Sequence, residues 1–380
     1  MQKELQMKVV VIGNGVAGAT VAQKLANKGV DVALFSEEPV GFYSRILLPQ
    51  ALCDTEALQD LIAKTDPPYL LKKPATAIDP ARKVVLSGKS EFPYDKLVIA
   101  TGSRSRMLDI FSCTDGACTL RTFFDALHIG TIIEDPVVVL GGGLLGLETA
   151  LSIKKKGFDV TVCESADRIL VRQLDEQASS MLKEHLEGEG LHIREGVKTQ
   201  AQKLDIMGHL RSLVAQEGEE IPCRTLLLSL GVLPEITLAK AAGLKTNRGI
   251  LVDEHLLTSD RDILAIGDCA EFEGRVPGIM PVALAMAESA IDTLLGEETT
   301  YVPPVLFTRF KGSGVDVVSV GSIEGESRNH RKDNRYEAYF VKDGILLGAI
   351  LFGSTEHLKY VRSHYLKAAS DDEIEALLSF

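Results

Sequence analysis

The 380-residue chain lacks any uninterrupted apolar run long enough to span a bilayer, although 45% of its residues are hydrophobic; a membrane helix needs about 20 consecutive apolar residues. It also lacks an excess of positive charge. With 41 Lys and Arg against 53 Asp and Glu, the formal net charge is −12, which favours solubility and opposes sequence-independent binding to nucleic acid or an anionic membrane. Cysteine is sparse and scattered: Cys53, Cys113, Cys118, Cys163, Cys223 and Cys269 form neither the close-set pairs of a zinc site nor a disulfide framework. Cys113 and Cys118 have the C-x4-C spacing of some redox disulfides, but their Ser/Thr/Asp/Gly-rich surroundings read as a loop. Met1-Gln2-Lys3-Glu4 runs toward the first apolar segment without a signal-peptide pattern. These absences predict a cytoplasmic protein with no metal site, long enough for two or three domains.

What the chain does have is two glycine-rich loops, Gly13-Asn14-Gly15-Val16-Ala17-Gly18 and Gly141-Gly142-Gly143-Leu144-Leu145-Gly146. In each, the first glycine permits a tight strand-to-helix turn and the second lets backbone approach a pyrophosphate. The third lets helix and strand pack closely, and the helix N-terminus carries the phosphate charge. Lys8 to Ile12 reads as a buried parallel strand, and the apolar Val16, Ala19, Val21, Ala22 and Leu25 follow at helical spacing up to Gly29. A strand from Val30 to Phe35 then leads to Glu37. The second loop repeats the plan: Val137 to Leu140, a helix through Lys156 closed by Gly157, a strand Asp159 to Cys163, and Glu164. A carboxylate there accepts hydrogen bonds from ribose hydroxyls and repels a 2′-phosphate, which predicts NADH rather than NADPH at the second loop.

The punctuation recurs farther on. Leu97-Val98-Ile99-Ala100-Thr101-Gly102 has a counterpart in Leu226-Leu227-Leu228-Ser229-Leu230-Gly231, followed by Val232-Leu233-Pro234, as expected of a duplicated plan. Asp262 to Asp268 reads as a buried strand ending in Gly267 and Asp268, at the carboxyl end where ligands of open α/β sheets collect. Helical periodicity resumes from Val282 to Leu295. Val315 to Val320, Glu337 to Val341 and Ile345 to Phe352 read as strands, with Asp343-Gly344 as a hairpin turn. Arg328, Arg331, Lys332 and Arg335 read first as a solvated hairpin loop.

Taken in order, the first loop, Ala100-Thr101-Gly102, Leu120-Arg121-Thr122, the second loop with Glu148, Gly231-x-x-Pro234, and Thr258-Ser259-Asp260 to Gly267-Asp268 resemble the FAD-dependent pyridine nucleotide oxidoreductases. Within them the chain looks most like NADH:rubredoxin reductases and the NADH-binding flavoprotein part of nitrite reductases. Tyr43-Ser44-Arg45-Ile46-Leu47-Leu48 and Arg172-Gln173-Leu174-Asp175 carry that likeness. The resemblance implies an α/β protein of two Rossmann-like three-layer domains plus a small α+β domain. The expected FAD domain is residues 1–110 and 236–300, the inserted NADH domain 111–235, and the C-terminal domain 301–380.

By the same resemblance FAD is expected along Gly13, Gly15, Val16, Ala17 and Gly18, with Glu37 on the adenosine ribose. Arg45 and Leu48 would flank the flavin, Thr101 and Gly102 line its cradle, and Arg121, Gly267 and Asp268 approach the pyrophosphate and ribityl. Pro281 and Val282 open a helix whose N-terminus would face the flavin ring. NADH is expected along Gly141, Gly143, Leu144, Leu145 and Gly146, with Glu164 and Gly231 completing that site. Glu148 is the candidate beside the nicotinamide, and Arg45 is the other candidate for a catalytic role; the usual lysine partner of Glu148 is replaced by Gln50.

Dithiol members of the family keep a cysteine shortly after the first acidic strand end, where this chain reads Tyr43 to Pro49 without one. Neither His357 nor His364 is followed by proline, as thiol acid/base chemistry in the family requires. The expectation is therefore direct hydride transfer from NADH to flavin and electron release to a small carrier such as rubredoxin. Two alternatives remain open at this stage: an NADH oxidase, peroxidase or CoA-disulfide reductase using Cys53, and a non-catalytic redox-sensing flavoprotein. The protein is expected to be a monomer or homodimer, with the basic cluster at Arg331 and Lys332 helping to dock an acidic carrier.

Overall fold

Val9, Val10, Val11 and Ile12 are all buried, as a strand covered on both faces requires. They form the middle of a parallel sheet in the computed structural model, which describes residues 7–216, 218–276, 278–310 and 314–380. Met1-Gln2-Lys3-Glu4 lies outside the described residues. The chain divides into two compact units.

The first unit comprises the described residues of Met1–Arg45, Gln59–Ser105 and Gly231–Pro304. Its five-stranded sheet runs, edge to edge, Ile263–Ala265, Lys96–Ile99, Lys8–Ile12, Asp31–Phe35 and Leu70–Leu71, with every neighbour parallel. Helices Val16–Asn27 and Met280–Leu294 pack together and bury Val21, Leu25, Met286 and Ile291 in the same core as the sheet. Each such fully buried side chain contributes about 1.5–3 kcal/mol. An antiparallel sheet of Ala77–Asp79, Val84–Ser87 and Ser90–Pro93 also belongs to the unit.

The second unit comprises Ile46–Leu58, the described residues of Arg106–Leu230, and those of Val305–Phe380. Its parallel sheet has the order His192–Arg194, Val160–Cys163, Val137–Leu140, Thr225–Leu228 and Ala117–Thr119. In both parallel sheets the strand before a glycine loop is central, with the strand that ends near an acidic residue on one side. On the other side lies the strand that precedes Gly102 or Gly231. Thr199–Leu204, Leu210–Ala215 and Glu220–Pro222 form a separate antiparallel sheet.

The C-terminal part of this unit is a five-stranded antiparallel sheet ordered Phe307–Phe310, Val317–Gly321, Ile345–Phe352, Arg335–Lys342 and Ser327–Lys332. Helices Leu358–His364 and Asp371–Leu377 bury Val361 and Ile374 in its core. Asp343 and Gly344 have φ of +51° and +73°, the left-handed pair that a two-residue hairpin needs. The fold class expected from the sequence is the one observed.

Two local expectations are corrected. Arg328, Arg331 and Lys332 lie on the edge strand Ser327–Lys332 and pair with Arg335–Lys342; they do not form a loop. The exposed face of an edge strand carries charge in place of apolar alternation, so periodicity did not reveal it. Cys118 lies in strand Ala117–Thr119, paired with Leu227, and is buried, whereas Cys113 is exposed in the turn before it. Among the described residues no helix is long and apolar enough to cross a membrane.

Candidate functional site

The two glycine loops have the same internal mechanics. Gly13 and Gly141 adopt φ of +116° and +120°, and a Cβ at either would fall inside the backbone oxygen of Ala100 or Ser229. A Cβ at Gly18 would collide with the carbonyl of Gly13, and one at Gly146 with that of Gly141. First and third glycines are thus explained by the protein's own packing. The second glycines are not. Around Gly143 a Cβ would meet nothing within 4 Å, and at Gly15 only Arg45 Nη1 at 3.3 Å.

The helices that follow are equally distinctive. Val16–Asn27 and Leu144–Lys155 start at Gly15 and Gly143 with no side-chain cap and no acidic residue in the first turn. Phe123–Ile132, Glu176–Gly188 and Asp371–Leu377 are instead capped by Thr122, Asp175 and Ser370. An uncapped helix start beside a glycine that keeps space clear suits an anion brought against backbone N–H groups. Met280–Leu294 also starts uncapped, with Pro281 in its first turn and Val282 buried beneath. The donors at both loops therefore fit a pyrophosphate.

In the first unit, three side chains gather above Gly15. Arg45 Nη2 donates to Glu38 Oε1 at 2.7 Å, Tyr43 OH donates to Glu38 Oε2 at 2.6 Å, and the guanidinium lies 5.3 Å from the Tyr43 ring centre. Glu38 and Tyr43 were not among the site residues expected from the sequence; the tandem Glu37-Glu38 followed by Tyr43-x-Arg45 was the available signal. Glu37 itself is exposed just beyond Phe35. Thr101 Oγ1 donates to the Glu235 carbonyl at 2.6 Å, and Glu235 N–H returns to the Gly102 carbonyl at 2.9 Å. Ser103 Oγ donates to Asp268 Oδ2 at 2.8 Å. Gly267 has a φ of +71°, and a Cβ there would lie 3.4 Å from Ala17 Cβ and 3.8 Å from Ala283 Cβ. Ala17, Thr101, Gly102, Gly267 and Asp268 thus come together at the carboxyl end of one sheet.

In the second unit Glu164 closes on the second loop: its Oε2 accepts from Gly142 N–H at 2.7 Å, and its Oε1 accepts from Ala166 N–H at 2.8 Å. Leu145 is exposed and Gly146 buried on the helix that also carries the half-buried Glu148. Gln50 is exposed. Arg121, whose N–H donates to Asp125 Oδ2, folds with the second unit, and so does the buried Leu48. Gly231 belongs to the first unit with φ of +83°.

The six cysteines are free thiols. Burial pushes Cys118 and Cys223 up to about 12 and Cys163 up to about 11. Burial also raises Cys269 and Cys53, the latter against an opposing pull from the Lys156 ammonium. A thiol held protonated is a poor nucleophile.

Residues 7–289 match the family described as pyridine nucleotide-disulphide oxidoreductase, and residues 307–364 match the rubredoxin NAD+ reductase C-terminal domain. The rubredoxin-NAD(+) reductase of Ectopseudomonas oleovorans is 33% identical over 80% of this chain and 85% of that protein. The nitrite reductase (NADH) large subunit of Escherichia coli is 30% identical over 92% of this chain, which spans 44% of that subunit. The crystal structure of NADH:rubredoxin oxidoreductase from Clostridium acetobutylicum superposes with a TM-score of 0.80 at 26% identity, covering 98% of this chain and 100% of that one. With both its glycine cradles inside the matched region, the chain belongs to the pyridine nucleotide-disulphide oxidoreductase family.

Proposed function

We propose that this protein is an FAD-containing NADH oxidoreductase that delivers electrons to a small one-electron carrier of the rubredoxin type, without a redox-active disulfide. The observation that carries this reading is the pair of uncapped helix starts, each fronted by a second glycine that leaves ligand space. Two cradles in one chain call for two dinucleotides. We assign FAD to Gly13, Gly15 and Gly18 and NADH to Gly141, Gly143 and Gly146, following the order of the family motifs. The flavin would supply the conversion of a hydride's two electrons into single-electron steps.

The chain's own residues hold and tune. Arg45, oriented by Glu38 and Tyr43, would flank the flavin dinucleotide beside Gly15, and Asp268, oriented by Ser103, would accept from its ribityl. The uncapped start of Met280–Leu294 favours negative charge on the flavin ring. Glu164 selects a ribose with free hydroxyls, and Glu148 lines the nicotinamide end of the second cradle. The elevated thiols support a path that leaves directly from flavin, and the similarity to rubredoxin reductases supports the carrier class. Arg331 and Lys332, exposed on the edge strand, are cations available to an acidic carrier. Arg328 is engaged by Asp371 and Glu375, and Arg335 by Glu337 and Glu356.

The test is an anaerobic titration of the purified yellow protein with NADH and NADPH, followed by rubredoxin, ferredoxin, oxygen and disulfides in turn. Rapid bleaching by NADH and turnover with rubredoxin are expected. Turnover with a disulfide alone, or equal rates with NADPH, would overturn the assignment.

A further inference from the structure

Gly142 occupies the position that the loop signature leaves open to any residue, yet the structure holds it on both sides. Its N–H donates to Glu164 Oε2, and its carbonyl accepts from Leu170 N–H at 3.0 Å. A Cβ at 142 would lie 2.9 Å from Ile169 Cγ2, 3.1 Å from Glu164 Cβ and 3.2 Å from Glu164 Oε2. Its φ is not in the left-handed region, so the demand for glycine is steric. The wall it meets is itself braced. Ile169 N–H donates to Glu195 Oε1 at 3.0 Å, Ser179 Oγ donates to the Ile169 carbonyl at 2.8 Å, and Lys183 Nζ holds Glu195 Oε2 at 2.8 Å. Ile169 and Leu170 are buried, and Leu170 keeps a φ of +49°. From Lys183 through Glu195 and the Ile169–Leu170 peptide to Gly142 and the Glu164 carboxylate, the links are hydrogen bonds joined by that one peptide bond.

We propose that Gly142 and Glu195 are positioning residues for coenzyme selection. Gly142 admits the Glu164 carboxylate against the loop, and Glu195 holds the Ile169–Leu170 wall that keeps Gly142 in place. A carboxylate fixed by N–H donors on both oxygens meets an adenosine ribose in one orientation and faces a 2′-phosphate at short range, where like-charge repulsion is strongest. A carboxylate released from that grip swings into solvent and discriminates less. The proposal rests on the reading of the second loop as the NADH cradle.

Calorimetric titration of the flavin-loaded protein with NAD+ and NADP+ tests it, using wild type, Gly142→Ala, Glu195→Gln and Glu164→Ala, with flavin content and thermal midpoint checked for each. The preference for NAD+ over NADP+ is expected to fall by about fivefold in Gly142→Ala and Glu195→Gln, a coupling typical of residues in one hydrogen-bonded network. It should fall further in Glu164→Ala. A loop that is merely loosened weakens both coenzymes alike and leaves the ratio unchanged. An unchanged ratio in both positioning variants beside a shifted ratio in Glu164→Ala overturns the proposal and leaves the Glu164 assignment standing. An unshifted ratio in Glu164→Ala overturns that assignment and the proposal with it. If Gly142→Ala does not retain flavin, Glu195→Gln decides, since it removes no atom from the loop.

Discussion

Gly15 and Gly18 are three residues apart in one loop, yet substitution should separate their roles. A Cβ at Gly18 collides with the Gly13 carbonyl and forces helix from strand, so Gly18→Ala should lose about 1–3 kcal/mol in denaturant unfolding and release flavin. A Cβ at Gly15 meets only the end of the Arg45 side chain, at 3.3 Å. Gly15→Ala should unfold with wild-type stability while its affinity for FAD, read by flavin fluorescence, falls. The thiols give a second test at this scale. With Cys118 and Cys223 pushed up to about 12, maleimide at neutral pH should label the exposed Cys113 first and Cys53 slowly. Anaerobic NADH should expose no additional thiol; two new thiols on reduction would establish a redox disulfide.

Two elements carry polar connections that sequence patterns did not announce. Tyr336, on strand Arg335–Lys342, donates its hydroxyl to Asp175 Oδ2 at 2.5 Å, and Asp175 Oδ1 caps helix Glu176–Gly188 through Ala178 N–H. That helix supplies Ser179 and Lys183 to the wall behind Gly142, so the C-terminal sheet braces the second cradle from behind. Burial first, and the Asp175 carboxylate second, push the Tyr336 hydroxyl well above its ordinary range, keeping it a donor at any physiological pH. Tyr336→Phe should cost about 1.5–3 kcal/mol, as for a hydrogen bond to a charged group, measured by urea unfolding. Next to it, Glu337 is fully buried and accepts from Arg335, from Tyr339 OH at 2.6 Å and from His357 Nδ1 at 2.8 Å.

Strand Ile263–Ala265 illustrates a pH dependence. Lys83 and Lys96 clamp Asp262 at 2.5 and 2.8 Å, and their hydrogen bonds hold its carboxyl below the usual aspartate value. A depressed carboxyl contributes stability above its unfolded value of about 4 and loses it as pH falls through the folded value. The stability gap between wild type and Asp262→Asn should therefore be constant from neutral pH down to about pH 5 and close in more acidic buffer. A gap that widened on acidification would contradict the clamp.

Across the whole molecule a net charge of −12 would repel an acidic carrier of the proposed kind, so its approach would rely on local cations. Reversing Arg331 and Lys332 to glutamate should raise KM for rubredoxin at low salt and leave kcat with an artificial acceptor unchanged. The difference should shrink as salt screens the surface. Unchanged acceptor kinetics and salt dependence would remove this strand from the docking surface.

The parallel strands were legible because burial on both faces writes continuous runs such as Val137 to Leu140. The glycine loops were legible because sterics leave no other residue at Gly13 or Gly141. The edge strand Ser327–Lys332 was not, since a solvated strand shows no apolar alternation. Glu38 and Tyr43 were only partly legible: the tandem Glu37-Glu38 and Tyr43-x-Arg45 stand out as a cluster, but which carboxylate meets the arginine is set by how the chain folds back over seven residues.

By itself the sequence determined that two dinucleotide cradles exist, in which order they come, and that the segment from Tyr43 to Pro49 carries no cysteine. These properties depend on residues that are neighbours along the chain. The tertiary structure alone decided that Glu164 grips Gly142, that Glu195 and Lys183 stand behind that grip, and that Tyr336 reaches Asp175. Hydrogen bonds between residues separated by up to 161 positions depend on how sheets and helices pack, and local pattern does not encode that.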